Sequence, residues 1–281
     1  MLVPAVSVLL ALSALPGSPG TMDAVDYSFN VPPGDYEVTL TLGSATQAAQ
    51  TAVQVEARRT VLAPVSTRAG EFRREVPAVN VRSPESMPTG EEGTGTPGLQ
   101  VHLTGARPAA ANVSVAPARR PRLFVVSDST ASDWLQGPKR GWAQELPQLL
   151  RPGIVVANYA DGVRERGGLP VLVTPPVRHQ FGPDGKLTPT GLIVNNLGVD
   201  LPAVIRGLAG KLHVPLIDLT ARSQALLERL GETASWPLYL TVQHDGVQDY
   251  AHFSEYGGAV MAGLVTKGMA DAQLPAAAFL R

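Results

Sequence analysis

The sequence predicts two consecutive units, an N-terminal all-β sandwich over residues 23–118 and an α/β unit with a parallel sheet over residues 119–281. Apolar and polar residues alternate through the first unit, a pattern typical of strands buried on one face. From about residue 120 onward, short apolar runs alternate with segments of helical period, which indicates a parallel sheet with crossover helices. The hydrophobic content of 44% is sufficient for a core in each unit.

The clearest strand of the first unit begins after the turn sequence of residues 32–35. There Tyr36, Val38, Leu40 and Leu42 alternate with polar residues, so one face of the strand is predicted to be buried. Short strands separated by segments rich in Gly, Pro and Ser favour a β-sandwich. The other predicted strands cover residues 27–31, 52–62, 72–81, 98–104 and 112–116.

The second unit reads as alternating strands and helices. Ser254 is a candidate N-cap for the last helix, because its side chain can accept a hydrogen bond from the first turn. In open sheets of this kind, ligands bind at the carboxyl ends of the strands. The predicted strands cover residues 123–126, 154–157, 171–174 and 215–219, and the predicted helices cover residues 141–150, 201–212, 223–230 and 254–269.

Residues 1–22 are interpreted as a possible signal peptide. The apolar run from Leu2 to Leu15 is shorter than the ~20 residues of a membrane-spanning helix and has the length of a signal-peptide core. No basic residue precedes this run, and no clear cleavage motif follows it. We expect a secreted protein without a membrane-spanning segment.

Composition argues against several classes of function. The chain has 23 Lys and Arg residues against 24 Asp and Glu residues, so no basic field favours nucleic acid or an anionic membrane as a partner. With zero Cys residues, disulfides and thiolate chemistry are excluded. The sequence contains neither a phosphate-binding loop nor a dinucleotide fingerprint, so we expect no organic cofactor. Its pattern does not indicate an oligomeric state.

Three residues form a candidate catalytic triad. Ser129 directly follows the first strand of the α/β unit, where a nucleophile would project into the crevice of the sheet. Asp249 and His252 lie three residues apart in a predicted loop before the last helix, so the carboxylate could orient the imidazole while the imidazole takes a proton from the serine. The alternative interpretation of Ser129 is structural, because serine is also a common residue in turns and at helix caps.

A metal site is the alternative interpretation of the same region. His244, Asp245, Asp249 and His252 could bind a divalent cation, but their spacing matches no established zinc pattern and needs a further ligand. We therefore predict no metal site. The remaining histidines are expected to be structural or solvated, and they are His102, His179 and His213.

Several motifs from residue 122 to the C-terminus together resemble the SGNH or GDSL hydrolases, and within them the rhamnogalacturonan acetylesterase group. Each motif is weak alone, but they occur in the family's order. They are the Leu-Phe-Val-Val-Ser-Asp-Ser-Thr of residues 123–130, Gly-Trp of 141–142, Glu-Leu-Pro of 145–147, Asn-Tyr-Ala of 158–160, Arg-Glu-Arg-Gly-Gly of 164–168, Pro-Val-Leu-Val-Thr-Pro-Pro of 170–176, Val-Pro-Leu-Ile-Asp-Leu-Thr of 214–220, and Asp-Tyr-Ala-His-Phe-Ser of 249–254.

This resemblance implies a flavodoxin-like three-layer α/β domain and a secreted carbohydrate esterase that removes acetyl groups from pectic polysaccharide. Ser129 would be the nucleophile, His252 the general base and acid, and Asp249 the orienting carboxylate. The backbone N–H groups of Ser129 and Gly162 would form the oxyanion hole, and Arg178 is a candidate substrate contact. The substrate would be an acetylated polysaccharide or a small acetyl ester. By analogy of fold alone, the N-terminal sandwich would be an accessory domain that binds sugar.

The chain also departs from the family pattern. Ser127 replaces a Gly, Val163 follows Gly162 directly, and the Gly-x-Asn-Asp block with the second oxyanion donor is absent. Asn195 and Asn196 come too late in the chain to replace it. We interpret this as an internal deletion between the second and fourth blocks, about the size of one βαβ unit of ~30 residues or more, which would remove a central strand. Impaired catalysis is expected, and the alternative is a non-catalytic carbohydrate-binding remnant.

Overall fold

The computed structural model describes residues 25–82, 95–125, 129–157, 168–194 and 198–281. The possible signal peptide, Ser127, Gly162, Asn195 and Asn196 lie outside the described residues. The described part combines β-sheets and α-helices, so the mixed α/β class is confirmed. None of its helices is both long and apolar enough to cross a membrane.

The first unit consists of two antiparallel sheets. One sheet has the strand order β1-β7-β3-β4, and the other is centred on β2, which pairs with β8 along one edge and with β5 and β6 along the other. The strands are β1 (Val25–Phe29), β2 (Gly34–Leu42), β3 (Ala49–Val55), β4 (Arg59–Thr67), β5 (Arg73–Glu75), β6 (Ala78–Val81), β7 (Leu99–Arg107) and β8 (Ala110–Pro117).

The two sheets share one apolar core. Val38, Leu40 and Leu42 of β2 are fully buried, as their alternation with polar residues predicts. They belong to the same cluster of buried side chains as Val53 of β3 and Leu103 of β7, from the other sheet. The cluster places the inner faces of the two sheets against each other.

Two of the predicted strands are wrong in their extent. The strand predicted over residues 52–62 is a hairpin, since Glu56 and Arg58 adopt positive φ angles of 52° and 58° and reverse the chain between β3 and β4. No Gly, Pro or Asn marks this turn. The strand predicted over residues 72–81 is divided into β5 and β6 around Pro77, which has no N–H group to contribute to a ladder.

The second unit contains six short strands and five α-helices among the described residues. The α2 helix has the predicted bounds, whereas the helix predicted over residues 141–150 is a short α1 followed by a 3₁₀ turn that begins at Pro147. The strands are β9 (Arg122–Phe124), β10 (Val155–Ala157), β11 (Leu172–Val173), β12 (Leu216–Ile217), β13 (Tyr239–Leu240) and β14 (Asp249–Phe253); the helices are α1 (Trp142–Glu145), α2 (Leu201–Leu212), α3 (Leu219–Ser235), α4 (Val242–Asp245) and α5 (Glu255–Asp271).

The strands of this unit form three separate pairs. β9 pairs with β10 and β11 with β12, both in parallel, while β13 and β14 form an antiparallel pair that the sequence pattern did not predict. In the described ranges, no ladder of hydrogen bonds joins β9 to β11. An apolar cavity of about 250 Å³ is lined by residues of both parallel pairs and of α5.

The α5 helix contributes one buried face to the core of the second unit. Ser254 is its N-cap, as predicted, because the Ser254 hydroxyl accepts a hydrogen bond from the Gly257 N–H at 3.0 Å. A Cβ atom on Gly257 would lie 1.8 Å from the Leu238 carbonyl oxygen, so only glycine permits this close approach. Met261 and Val265 extend the buried face of the helix into the core.

Candidate active site

Ser129, His252 and Asp249 form a continuous chain of hydrogen bonds. His252 Nε2 lies 2.9 Å from Ser129 Oγ, and His252 Nδ1 lies 2.7 Å from Asp249 Oδ2. Asp249 can only accept a hydrogen bond at Nδ1, which assigns the proton to that nitrogen and leaves Nε2 to accept from the serine hydroxyl. In this tautomer the imidazole can receive the proton of Ser129.

The backbone around Asp249 holds its carboxylate in place. Asp249 Oδ1 accepts hydrogen bonds from the N–H groups of Ala251 at 2.8 Å and His252 at 3.0 Å. Partial burial raises the pKa of Asp249, but these two N–H groups and the His252 side chain outweigh that effect and hold the pKa below its usual value. The carboxylate therefore stays charged and can stabilise a protonated His252.

Two long-range backbone contacts connect the nucleophile loop to the base. The Arg140 N–H donates to the Phe253 carbonyl at 2.9 Å, one residue after His252. The Trp142 N–H donates to the Thr130 carbonyl at 3.0 Å, one residue after Ser129. These bonds tie the loop of residues 129–141 to β14. Sequence analysis placed Asp249 and His252 in a loop, whereas the structure places both in β14.

Trp134 is a residue of the site that sequence analysis did not identify. Its Nε1–H donates to the Ser129 carbonyl at 3.1 Å, and its ring meets the His252 imidazole edge-on at 5.2 Å between centroids. The Lys139 ammonium lies 4.6 Å from the centroid of the same ring. The sequence feature that could have identified it is a tryptophan that lies five residues after Ser129 and belongs to no apolar periodic pattern.

His179 supports the strand that carries the base. Its backbone N–H donates to the Tyr250 carbonyl at 2.8 Å, and its Nε2 lies 2.9 Å from Ser235 Oγ. The Trp236 ring stacks on the imidazole at 3.9 Å between centroids. Burial lowers the pKa of His179, so the imidazole is neutral at pH 7. Its imidazole is buried rather than solvated, and a structural role for this histidine stays a prediction.

The other candidate residues of the sequence analysis lie in different surroundings. Gly162, the second expected oxyanion donor, lies outside the described residues. Arg178 is half-buried and directly precedes His179, so it lies close to β14. Within the described ranges its guanidinium makes no ion pair.

The residues considered for a metal site do not converge. Asp245 accepts a hydrogen bond from the Thr241 N–H at 2.7 Å at the start of α4, and Asp249 and His252 bind each other. In the part of the chain that the structure describes, no three His, Asp or Glu side chains are grouped closely enough to hold a metal ion. His102 pairs with Asp26 on the surface, and His213 ends α2 in a left-handed conformation.

Two curated proteins are similar in sequence to this chain, and both are named as rhamnogalacturonan acetylesterases. The chain is 27% identical over 219 residues to the rhamnogalacturonan acetylesterase RhgT of Bacillus subtilis (strain 168), a match that covers 55% of this chain and 91% of that protein. It is 32% identical over 118 residues to the probable rhamnogalacturonan acetylesterase YesY of the same organism, covering 42% of this chain and only 50% of that protein. These two matches support a relationship to rhamnogalacturonan acetylesterases.

The remaining comparisons are weaker. No family model matches the chain. Among solved structures, protein YXIM of Bacillus subtilis is 17% identical, with 90% of this chain and 82% of that chain covered and a TM-score of 0.48. A CBM35 domain from Paenibacillus barcinonensis is 15% identical, with 38% of this chain and 88% of that chain covered and a TM-score of 0.23. Neither structural likeness is close enough to define a fold.

Proposed function

We propose that this chain is a serine esterase of the SGNH type that removes acetyl groups from pectic polysaccharide. The observation that carries the proposal is the unbroken chain of hydrogen bonds from Ser129 through His252 to Asp249. The similarity to two Bacillus proteins named as rhamnogalacturonan acetylesterases supports the reaction and the substrate class. Because a polysaccharide substrate lies outside the cell, we also propose that the protein is secreted.

The proposed reaction has two halves that use the same three residues. Ser129 Oγ attacks the acetyl carbonyl carbon while His252 Nε2 takes the hydroxyl proton. The bond between the carbonyl carbon and the sugar oxygen then breaks, His252 returns the proton to that oxygen, and an acetyl ester remains on Ser129. Water then attacks the carbonyl carbon of this ester while His252 takes a proton from the water. The bond from that carbon to Ser129 Oγ breaks, His252 returns the proton to Oγ, and acetate leaves. Asp249 holds the imidazole tautomer and stabilises its charged form in both halves.

The oxyanion hole is the weakest part of the proposed catalyst. We assign its donors to the backbone N–H groups of Ser129 and Gly162. The asparagine that would provide a further donor in the resembling family has no counterpart in the sequence. Loss of one such donor typically lowers kcat by about 10²–10³-fold. We therefore expect a slow esterase.

An internal deletion is part of this proposal. In the match to RhgT, 55% of the 281 residues is about 155 residues, yet the alignment spans 219 positions, so about 64 positions of the relative face gaps in this chain. The separation of the β9–β10 pair from the β11–β12 pair, with an apolar cavity beside both, agrees with a missing central strand.

Arg178 is proposed as a substrate contact. Pectic polysaccharide carries uronic acid carboxylates, and a guanidinium binds a carboxylate with two parallel hydrogen bonds. Arg178 adjoins the segment that contacts β14, and its guanidinium has no ion-pair partner in the described part of the chain. It is therefore available for an acidic sugar next to the acetyl group that reacts.

The second candidate is a non-catalytic carbohydrate-binding remnant of such an esterase. The observation in its favour is the separation of the two parallel pairs within the described residues, because a sheet that lacked its central strand would provide a poor support for an oxyanion hole. In that case, sugar binding would persist without turnover that depends on Ser129.

Hydrolysis of p-nitrophenyl acetate by purified protein tests the proposal. We expect turnover in the wild type, background rates in Ser129→Ala and His252→Gln, and wild-type rates in the matched controls Ser28→Ala and His244→Gln, whose residues are exposed. A fluorophosphonate reagent should label Ser129 in the wild type alone. Equal rates in the wild type and Ser129→Ala, together with retained binding of acetylated rhamnogalacturonan, would instead select the non-catalytic remnant.

A further inference from the structure

The turn between β3 and β4 reaches from the first unit to the loop that carries Ser129. The left-handed conformations of Glu56 and Arg58 are uncommon for residues other than glycine. The carbonyl groups of this turn accept hydrogen bonds from the second unit, Ala57 from Gln144 at 2.5 Å and Arg58 from Arg140. The Arg58 guanidinium in turn donates to the Gly137 carbonyl at 2.8 Å.

Gln144 connects this turn to the nucleophile loop. Its side chain is fully buried, and its Nε2 donates both to Ala57 O at 2.5 Å and to Trp134 O at 3.0 Å. Its Oε1 accepts from the Gly141 N–H at 2.9 Å. Every polar atom of the amide is therefore used, and a shift of the loop would leave buried polar groups without partners, which is unfavourable.

Trp134 extends the connection to both ends of the Ser129–His252 hydrogen bond. Its carbonyl is bound by Gln144, its indole N–H donates to the Ser129 carbonyl at 3.1 Å, and its ring edge contacts the His252 imidazole. A displacement of the Trp134 backbone would shift the indole relative to both Ser129 and His252. The indole therefore contacts the backbone of the nucleophile and the ring of the base at the same time.

The neighbouring Asp133 provides a second anchor to the first unit. Its side chain is fully buried and forms ion pairs with Arg82 and, at 3.9 Å, with Arg59. Arg59 also donates to the Val156 carbonyl of β10 at 3.3 Å. The first unit therefore holds the nucleophile loop directly at Asp133 and, through Gln144, at Trp134, four and five residues after Ser129.

We propose that Gln144 and Trp134 are positioning residues through which the β3–β4 turn of the first unit sets the geometry of Ser129 and His252. The first unit is then part of the catalytic apparatus in addition to any role in binding sugar. This inference rests on the proposed esterase function. Trp134 contacts Ser129 and His252, and Gln144 contacts the loop that carries Ser129; both residues act by placing the triad.

Steady-state hydrolysis of p-nitrophenyl acetate by the full chain tests this coupling. In Gln144→Met we expect kcat to fall by about 10–100-fold with KM within twofold of wild type, since a misplacement of about 1 Å can lower the rate 10²-fold. Trp134→Phe, which keeps the aromatic edge and loses the N–H, should show a smaller loss of kcat. Gln224→Met is the matched control, because the Gln224 side chain donates to Glu228 within the same helix, α3.

Gln144→Glu separates the hydrogen bond to the β3–β4 turn from the hydrogen bond that Gln144 accepts from the Gly141 N–H. An ionised carboxylate keeps the acceptor for the Gly141 N–H but cannot donate to Ala57 O or Trp134 O, so this variant is assayed at alkaline pH, where the buried acid is ionised. We expect Gln144→Glu to lose kcat as Gln144→Met does. Wild-type kcat in Gln144→Glu or Gln144→Met, even with a lowered melting temperature, would overturn the coupling and leave Gln144 a purely structural role.

Hydrogen–deuterium exchange followed by mass spectrometry provides a readout that does not require activity. Peptides from residues 129–141 should exchange faster in Gln144→Met and Gln144→Glu than in the wild type or Gln224→Met. Unchanged exchange there overturns the coupling whatever the turnover. If the wild type shows no turnover dependent on Ser129, the esterase proposal fails, and faster exchange still supports the connection between the turn and the loop.

Discussion

The buried carboxyl group of Glu56 should make this protein less stable as the pH rises, and Glu56→Gln should remove that loss. Glu56 is 7% exposed, and neither of its carboxylate oxygens has a hydrogen-bond partner within the described ranges. Burial raises the pKa of Glu56 from 4.5 to about 7, although Arg59 and Arg82 act in the opposite direction. The folded protein therefore binds the Glu56 proton more tightly than the unfolded chain does.

The size of the effect follows from the two pKa values of Glu56. Between pH 4.5 and about 7, the folded state holds more protons than the unfolded state, so the free energy of unfolding decreases as the pH rises. At ~1.4 kcal/mol per pH unit, the loss is about 1 kcal/mol at pH 5 and about 3 kcal/mol at pH 8. Glutamine imitates the neutral acid at every pH and does not undergo this loss.

Thermal unfolding at pH 5 and pH 8 checks this prediction. At pH 8, Glu56→Gln should raise the melting temperature by roughly 6–12 °C, because 1 kcal/mol corresponds to about 2–4 °C for a protein of this size class. At pH 5 the gain should be about a third as large. Glu232→Gln is the matched control, since Glu232 is exposed on α3. Equal melting temperatures of Glu56→Gln and the wild type at pH 8, or a larger gain at pH 5, would refute the reasoning.

Three further predictions concern the site and its support. Asp249→Asn should lower kcat about 10³–10⁴-fold through the wrong imidazole tautomer, with the fold intact by circular dichroism, and a loss below tenfold would contradict the triad. Gly257→Ala should destabilise the protein strongly because its Cβ would overlap the Leu238 carbonyl, whereas Gly263→Ala meets no atom within 4 Å and should stabilise α5 by roughly 0.5–1 kcal/mol in urea unfolding. Arg178→Gln should raise KM for acetylated rhamnogalacturonan and leave KM for p-nitrophenyl acetate unchanged; equal effects on both substrates would exclude a uronate contact.

Local patterns in the sequence predicted much of the fold and the identity of the candidate triad. The alternation in β2, the bounds of α2 and the Ser254 cap all depend on residues within a few positions of one another. Ser129 and His252 were selected from two short motifs, and the structure brings their side chains within 2.9 Å. Their catalytic roles remain a prediction.

Features that depend on distant residues were not predicted. The turn at residues 56–58 contains neither Gly nor Pro, and its conformation is accompanied by hydrogen bonds to Gln144 and Arg140. The β13–β14 pair is too short to produce an alternating pattern, since β13 has two residues. Trp134 carried no periodic signal, and its contacts with Ser129 and His252 exist only in the folded chain.

The sequence by itself determined the alternating strand β2, the bounds of α2, the N-cap of α5 and which residue types can perform ester hydrolysis, because propensity, periodicity and capping act over a few residues. Only the tertiary structure decided that Ser129 meets a base 123 residues away, and that the first unit reaches the nucleophile loop. It also decided the burial that raises the pKa of Glu56, and two of the nearby charges, Arg82 and Asp133, come from segments that are distant in the chain. Electrostatic and packing energies depend on distances in space, which a one-dimensional pattern does not contain.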